Sequence, residues 1–325
     1  MTVALGSNAV LKFCQEVTWG TTPVAPANVY GLNIRSETLG STKNLFQSQT
    51  INQYRSVVGL GDGNKAVAGN IATDLFPEGL EVLMRHVLGN PAVVTTDTGG
   101  VAPYTHVMKG AAGYLEGLSI EKGFVNINQY MKYTGCRVNS MNINLVQEGF
   151  HEVTVDFIGK QEVTGVATQI AGAATFPDKS GFTGYQCEVS LNSGSGYAVL
   201  GNVVSGSINI NNNYETDKYV LGSPYRASAL PGKRECKGDF SVFFEDLAIY
   251  NLYANGTECA LKFDFDNGLG QTLTIEFPIV KIGGESPKIA SEGGVNLSLN
   301  YQARRSTADQ TDVIVTLVNT VATIP

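Results

Sequence analysis

The chain has 325 residues, of which 16% are charged, 43% are hydrophobic and 37 are glycine, and its formal net charge is −7. A charged fraction well below the usual quarter is expected where partners cover much of the surface, although a glycine-rich β-protein explains it equally well. The net negative charge argues against a protein that binds nucleic acid through its phosphates. No membrane span or secretion signal is recognisable in the sequence.

The first part of the chain predicts an extended arm and a core strand. A short strand is expected around residues 10–13, and the glycine and prolines of residues 16–26 make a helix there unfavourable. Residues 29–39 have the pattern of the first core strand. Residues 40–64 are mostly polar, and this segment is longer than the usual loop between two strands of a compact domain. Its length indicates a functional loop or a projecting hairpin.

Residues 55–89 form a unit that organises the sequence, with an arginine, a glycine-rich turn, a strand and a short helix. The apolar residues of the helix recur at the spacing of one helical face: Leu80, Leu83, Met84, Val87 and Leu88. Pro77 suits the start of a helix and Gly89 suits its C-terminal cap. The pattern therefore predicts an amphipathic helix between residues 77 and 89.

The same unit begins again at Arg226. Three landmarks recur in order, namely Gly238 for Gly69, Leu247 for Leu80 and Gly256 for Gly89. Leu247 stands 167 residues after Leu80, which is about half of the chain. Two copies at so long a period indicate a tandem duplication rather than a solenoid. We predict a first copy at residues 1–164, a linker at 165–184 and a second copy at 185–325.

Most other segments have the alternating pattern of antiparallel strands. In the first copy, residues 90–114 are expected to be loop, and strands are predicted at 115–120, 123–133, 137–146 and 152–160. In the second copy, they are predicted at 186–191, 203–211, 234–244, 258–266, 272–282, 294–302 and 312–318. Residues 211–234 repeat the long polar segment of the first copy. The predicted fold is mainly β, with two similar β-sandwich domains, each carrying one short helix and a long hairpin arm.

Signatures of catalysis and metal binding are missing from the sequence. The three histidines, His86, His106 and His151, have no metal-ligand spacing, and His86 is expected at the surface or half buried. Asp62 with Asn64, and the segment 264–267, resemble the start of a calcium loop but do not continue as one. The five cysteines lack a CxxC pair and are expected to be reduced. We predict a protein that is not an enzyme and binds no cofactor or metal.

The polar faces of the strands carry short neutral or acidic side chains and few lysines or arginines. The most regular positions are Asn142, Asn144, Thr154, Asp156, Asn209, Asn211, Asn296 and Asn300. Ordinary solvent exposure usually brings lysine and glutamate instead. A surface of this kind offers phosphates no counter-charge, so DNA beside it would not bind.

Several segments together resemble the two-copy tail tube (major tail) proteins of long-tailed bacteriophages. They are the runs EVTWGTTP at 16–23, IRSE at 34–37 and VTLVN at 315–319, the unit at 55–89, and the second-copy run from Arg226 through Gly238 to Leu247. The similarity covers essentially the whole chain, but its motifs are diffuse patterns of glycines and apolar positions.

The resemblance implies a structural subunit of the virion tail, made in the bacterial host cytoplasm. Such domains form rings of six that stack into a helical tube, so a duplicated chain would close a ring from three subunits. The expected partners are further copies of the chain, the tail tip, tape-measure and terminator proteins, and double-stranded DNA in transit without specific binding. No membrane partner is expected.

The resemblance also assigns roles to surfaces. The eight polar strand positions above become candidates for lining the lumen. The long segments become candidates for contacts between rings or subunits, through Thr42, Asn44, Gln47, Tyr54, Tyr214, Asp217, Tyr219 and Tyr225. The alternative function is a carbohydrate-binding or adhesive β-sandwich module, with a glycoside hydrolase as a third. A carbohydrate-binding module is expected to display exposed tryptophan and tyrosine platforms, whereas Trp19 is the one tryptophan of the chain.

Overall fold

The computed structural model describes residues 3–51, 53–97, 99–114, 116–289 and 292–325. It is mainly β, as predicted, with α1 (Glu81–Val87), α2 (Ala248–Ala254) and 3-10 turns at Gly6–Asn8, Val125–Ile127 and Gly184–Gln186. The strands of the first copy are β1 (Ala9–Gln15), β2 (Tyr30–Leu32), β3 (Ser36–Glu37), β4 (Gly40–Gln47), β5 (Leu60–Asp74), β6 (Val93–Thr96), β7 (Tyr104–Lys109), β8 (Leu118–Phe124), β9 (Gln129–Leu145), β10 (Glu152–Gly159) and β11 (Gln161–Gly165). Those that follow are β12 (Cys187–Asn192), β13 (Ala198–Val199), β14 (Val203–Asn211), β15 (Glu235–Phe243), β16 (Glu258–Asp266), β17 (Thr272–Gly284), β18 (Asn296–Ala303) and β19 (Ile314–Asn319).

The antiparallel pairings of the first copy recur in the second. In the first copy one sheet runs β2–β1–β8–β9–β11, and in the second the matching strands run β13–β12–β16–β17–β19. We call each of these the outer sheet of its copy. Strand β9 continues past its outer sheet to pair with β10, and β17 likewise continues to pair with β18. This repetition fits the predicted duplication, whereas the exact domain boundaries stay a prediction.

The second sheet is continuous between the two copies. Its order is β3 and β4, then β5–β10–β9–β14–β15–β18–β17, and we call it the inner sheet. The two copies meet where β9 pairs with β14, with Ile143 opposite Ile208. The apolar sides of the inner and outer sheets share one core that draws side chains from both copies.

The landmarks of the repeat occupy equivalent places. Gly69 lies opposite Phe157 in the β5–β10 pair, and Gly238 lies opposite Tyr301 in the β15–β18 pair. Leu80 and Leu247 are the N-terminal caps of α1 and α2. At Gly238 a β-carbon would collide with the main-chain carbonyl oxygen of Ser207 and stand 2.6 Å from the Tyr301 hydroxyl, too close for any side chain. The glycine is therefore required by the close approach of β14, β15 and β18.

Some predicted elements differ from the structure. The strand predicted at 29–39 is broken into β2 and β3, which belong to different sheets. The strand predicted to start at 123 starts at Gln129, because a 3-10 turn ends β8. Residues 90–114, predicted as loop, contain the β6–β7 hairpin, whose β7 pairs with β19 of the second copy. The predicted start of the strand at Leu115 lies outside the described residues.

Helix α1 is buried on nearly all sides, which corrects the expectation that His86 is exposed or half exposed. Met84, Val87 and Leu88 face apolar residues of β9, β14, β17 and β19, so strands of both copies cover the helix. His86 is buried on the opposite side, among groups that include Arg85 and Arg137. The amphipathic pattern predicts one buried side of the helix. It could not show that the side of His86 is buried as well, because residues distant in the sequence bury that side. Helix α2, at the equivalent place in the second copy, has no fully buried residue.

Candidate lumen face and assembly surfaces

The polar side of the inner sheet brings the predicted lumen positions onto one face. Along one row, Thr154, Asn142 and Asn209 lie directly opposite one another on β10, β9 and β14. Neighbouring rows contain the remaining candidates, which are Asn144, Asp156, Asn211, Asn296 and Asn300. Asn144, Asn296 and Asn300 are exposed and the other five are half buried. The alternation of each strand places its polar residues together, and the pairing register aligns the strands.

This face is acidic to neutral over the described strands. Its carboxylates are Asp74, Glu152, Asp156, Glu235 and Asp239. Among its cationic side chains, Lys237 binds Glu235 at 3.2 Å and Arg35 bridges Asp74 at 2.5 Å and Glu152 at 2.8 Å, whereas Lys281, opposite Gln302 on β17, is exposed. The five carboxylates outnumber these three cations, so the face has a net negative charge.

The first long segment is a projecting hairpin, as predicted. Strand β4 pairs with the first half of β5, and residues 48–59 connect them. The candidate contact residues Thr42, Asn44, Gln47 and Tyr54 are all exposed, and Asn52 lies outside the described residues. Apolar side chains are exposed along the same hairpin: Leu45, Phe46, Ile51, Val57, Val58 and Leu60. Such a cluster on an arm is typical of a surface that docks on a partner.

The second long segment, residues 212–234, is also a hairpin, but it lies against the first copy of its own chain. Backbone bonds close it from Glu215 to Leu230 and from Ala227 to Lys218. Among its candidate contact residues, Asp217 is exposed and Tyr219 and Tyr225 are half buried. Tyr214 is buried in a small apolar cluster with Ile158 and Ala229. Contacts of these residues with another subunit stay a prediction.

Arg226 anchors the second hairpin in the first copy. The side chain is buried, and its guanidinium donates hydrogen bonds to the carbonyl oxygens of Val67 and Gly159, which face each other across β5 and β10, and to that of Thr216. Tyr219 donates from its hydroxyl to the carbonyl of Lys65 at 3.1 Å. Burial lowers the pKa of Arg226. A buried cation is tolerated only when its donors are satisfied, and here main-chain carbonyls satisfy them.

All three histidines are buried within the fold. His106 is buried between the Thr95 hydroxyl at 2.9 Å and the Val321 carbonyl at 2.7 Å. His151 accepts the Val146 amide and packs edge-on against Phe265. Burial lowers the pKa of His86 to about 3, so this ring is neutral at neutral pH.

Other chemical groups considered in the sequence have structural contacts. Asp264 accepts a hydrogen bond from Thr274 at 2.6 Å and pairs with Lys262 at 2.8 Å. Trp19 is half buried, donates to the Gly135 carbonyl at 3.0 Å and lies beside Lys160, so it does not form an open sugar platform. In the part of the chain that is described, no cluster of potential metal ligands and no helix able to span a membrane is found.

Sequence reasoning missed two features of the assembly surfaces. The first is the β9–β14 junction, which no local pattern could indicate because it joins residues about 65 positions apart. The second is the buried anchor Arg226. A signal for the anchor was present, since the dipeptide Tyr-Arg occurs at 54–55 and again at 225–226, once in each hairpin.

Comparison with known proteins supplies the family. A family model described as phage tail tube protein matches residues 6–303. The match starts before β1 and ends with β18, so it spans both copies. No curated protein matches the chain.

Proposed function

The chain belongs to the phage tail tube protein family, and we propose that three copies of it close into a ring around a lumen that conducts DNA. Family membership establishes the coarser role, a structural protein of the tail of the virion. The number of chains, the stacking of rings into a tube and the passage of DNA belong to the proposal. So do contacts with tail tip, tape-measure and terminator proteins, and synthesis in the host cytoplasm.

The main support for the proposal comes from the inner sheet. The strands at its free edges are the counterparts of the two strands that pair where the copies meet inside the chain. Inside the chain, β9 of the first copy pairs with β14 of the second. Strand β17 is the counterpart of β9, and over the described residues its last part, 282–284, pairs with β18 on one side only. Strands β3 and β4 are the counterparts of β14, and among described strands they pair with β5 alone. The end of one chain is therefore suited to the start of the next.

The two helices support the same arrangement. In the first copy, α1 is covered by strands β14, β17 and β19 of the second copy. In the second copy, α2 leaves Leu247 exposed, and Ile249 and Tyr250 are half buried. If the first copy of a neighbouring chain packed against the second copy as the two copies pack within one chain, it would cover α2. Burying each such apolar side chain contributes about 1.5–3 kcal/mol.

Closure follows from head-to-tail geometry. A heterologous contact produces a closed ring when its rotation divides a full turn and an open helix otherwise. Two copies per chain and a ring of six domains require three chains. Closure would also pair both free edges of the inner sheet, which would otherwise invite uncontrolled strand addition. The polar face described above would then line the lumen.

Electron microscopy of the purified, concentrated chain tests the proposal. The expected result is tubes whose rings contain three chains with pseudo-sixfold symmetry and whose inner wall contains Asn142 and Asn209. Rings built from six whole chains would contradict the trimer, and a failure to polymerise under any solution condition would contradict the tube. A wall formed by another face would contradict the assignment of the lumen.

A further inference from the structure

The two Tyr-Arg dipeptides have different surroundings in the isolated chain. At 225–226, the tyrosine ring lies 5.6 Å from the Lys65 ammonium, and Arg226 is buried against the carbonyls of Val67 and Gly159. At 54–55, both residues are exposed, and Tyr54 keeps 64% of its surface accessible. The same dipeptide on equivalent hairpins is thus docked in one copy and exposed in the other.

The residues that receive Arg226 have counterparts in the second copy. The pair Gly69 and Phe157 in the first copy is equivalent to the pair Gly238 and Tyr301 in the second. Two residues before each glycine, Val67 corresponds to Cys236, and two residues after each aromatic residue, Gly159 corresponds to Ala303. By the same register Lys65 corresponds to Arg234, and Arg137, which lies opposite Ile158, corresponds to Lys281, which lies opposite Gln302. The correspondence follows from strand pairing and does not depend on sequence similarity.

Cys236 is buried, and the other three counterparts, Arg234, Lys281 and Ala303, line an open groove. Its volume is about 1070 Å³, and its walls include Arg234, Lys281, Gln302, Ala303 and Arg304. In the first copy the equivalent place is occupied by the second hairpin. In the second copy no described segment of the chain fills it.

The docked hairpin also contributes an apolar residue. Ala229, three residues after Arg226, is completely buried. Its counterpart three residues after Arg55 is Val58, which is 58% exposed. The first hairpin therefore presents a tyrosine, an arginine and a valine in the order in which the second hairpin buries its own residues.

We propose that the first hairpin of one chain docks in this groove of the neighbouring chain, with Arg55 donating hydrogen bonds to the main-chain carbonyl of Ala303. The Tyr54 ring then lies over the Arg234 guanidinium, as Tyr225 lies over Lys65. The partner is a second copy of this chain, and the contact lies within a ring. The inference rests on the proposed ring, because the contact repeats between chains the relation that the two copies have within one chain.

Hydrogen bonding and reach, rather than ion pairing, favour this contact. The groove lining has five cationic side chains and three carboxylates, of which Arg234 binds Asp312 at 2.5 Å and Arg304 binds Glu258 at 2.6 Å. Main-chain carbonyls are therefore the acceptors expected for an incoming guanidinium, as they are for Arg226. The eight residues of β4 extend about 27 Å, enough to cross from one domain to the next.

Photo-crosslinking in assembled tubes tests the contact. A benzophenone amino acid replaces Tyr54 in the full chain, and mass spectrometry identifies the crosslinked peptides after irradiation. The expected partners are peptides of another chain that contain residues 234–236 or 302–304. The same probe at Tyr185, which is exposed on a different part of the surface, serves as the control and should not label these peptides.

Substitution of Arg55 provides a second measurement. Arg55→Ala should raise the protein concentration needed for tube formation at least tenfold and leave the melting temperature of the monomer unchanged, because the side chain is exposed there. Tubes that form normally but crosslink Tyr54 elsewhere would overturn the docking contact and leave the ring intact. Unmodified chain that forms no three-chain ring would overturn both, so the two failures are distinguishable.

Discussion

The polar face of the inner sheet leads to the most direct test of DNA passage. Replacing Asn142 and Asn209 by lysine adds two cations per chain at positions that lie opposite each other on β9 and β14. Directly opposed like charges on neighbouring strands cost up to about 1 kcal/mol, which a folded domain tolerates. In a three-chain ring the change introduces six lysines.

The expected effect on DNA can be estimated. Glu152 and Asp156 lie diagonally across from Asn142 and would neutralise part of the added charge, so we take half of the lysines as phosphate contacts. Each contact contributes about 0.9 to the salt slope, and three contacts per ring weaken binding roughly 40-fold between 50 and 200 mM salt. Every stacked ring repeats the attraction.

The assay compares assembled tubes of the double lysine variant with tubes of the original chain. We expect the lysine tubes to retain double-stranded DNA at low salt and to release it at high salt, and phage that carry them to eject their genome more slowly. The Asn142→Gln, Asn209→Gln variant is the matched control, since it lengthens both side chains without adding charge. DNA retention that is equal in both variants, or independent of salt, would refute the electrostatic reasoning.

Three other predictions concern assembly and stability. Deleting residues 42–53 should abolish tube formation but leave a folded subunit, because β4 is exposed along most of its length; tubes formed at normal yield would show the hairpin to be dispensable. Gly238→Ala should lower the free energy of unfolding by about 3 kcal/mol in urea titrations, since the added carbon crowds the Ser207 carbonyl oxygen and Tyr301, whereas Gly201→Ala, with open space around it, should have little effect. Burial raises the pKa of Glu81 from 4.5 to about 7, so the free energy of unfolding should fall by up to about 3 kcal/mol as pH rises through this range. Glu81→Gln should abolish this fall but cost some stability at every pH, because both carboxylate oxygens accept hydrogen bonds, from Gly79 and Asn319. The same pH dependence in both proteins would contradict this.

Local patterns predicted the elements that depend on local rules. The strands at 203–211 and 258–266 have the predicted bounds, because alternation of period two is set by the pleat of each strand. The hairpin of β9 and β10 follows from the same rule. Helix α1 was predicted from the spacing of its apolar residues. The burial of His86 was not predicted, since burial of the second side of a helix leaves no periodic pattern in the sequence.

The candidate lumen residues show how far such patterns reach. The sequence alone determined that Asn142, Thr154 and Asn209 lie on the polar sides of their strands. It could not determine that the three form one row, because register depends on long-range hydrogen bonds. The break in the strand at 29–39 was missed for a related reason, as its two parts pair in different sheets, and β7 has a distant second partner in β19.

The amino-acid sequence by itself therefore determined the β-rich class and the polar character of one face of each strand, both of which arise from residue types and their period. It also predicted a duplication, which the recurring strand pairings fit. Only the tertiary structure decided that β9 joins β14, that the second hairpin docks through Arg226, and that a groove at Ala303, in the equivalent place of the second copy, stays open. These features are contacts between residues distant in the chain, and their energy depends on shape and register that no local window contains.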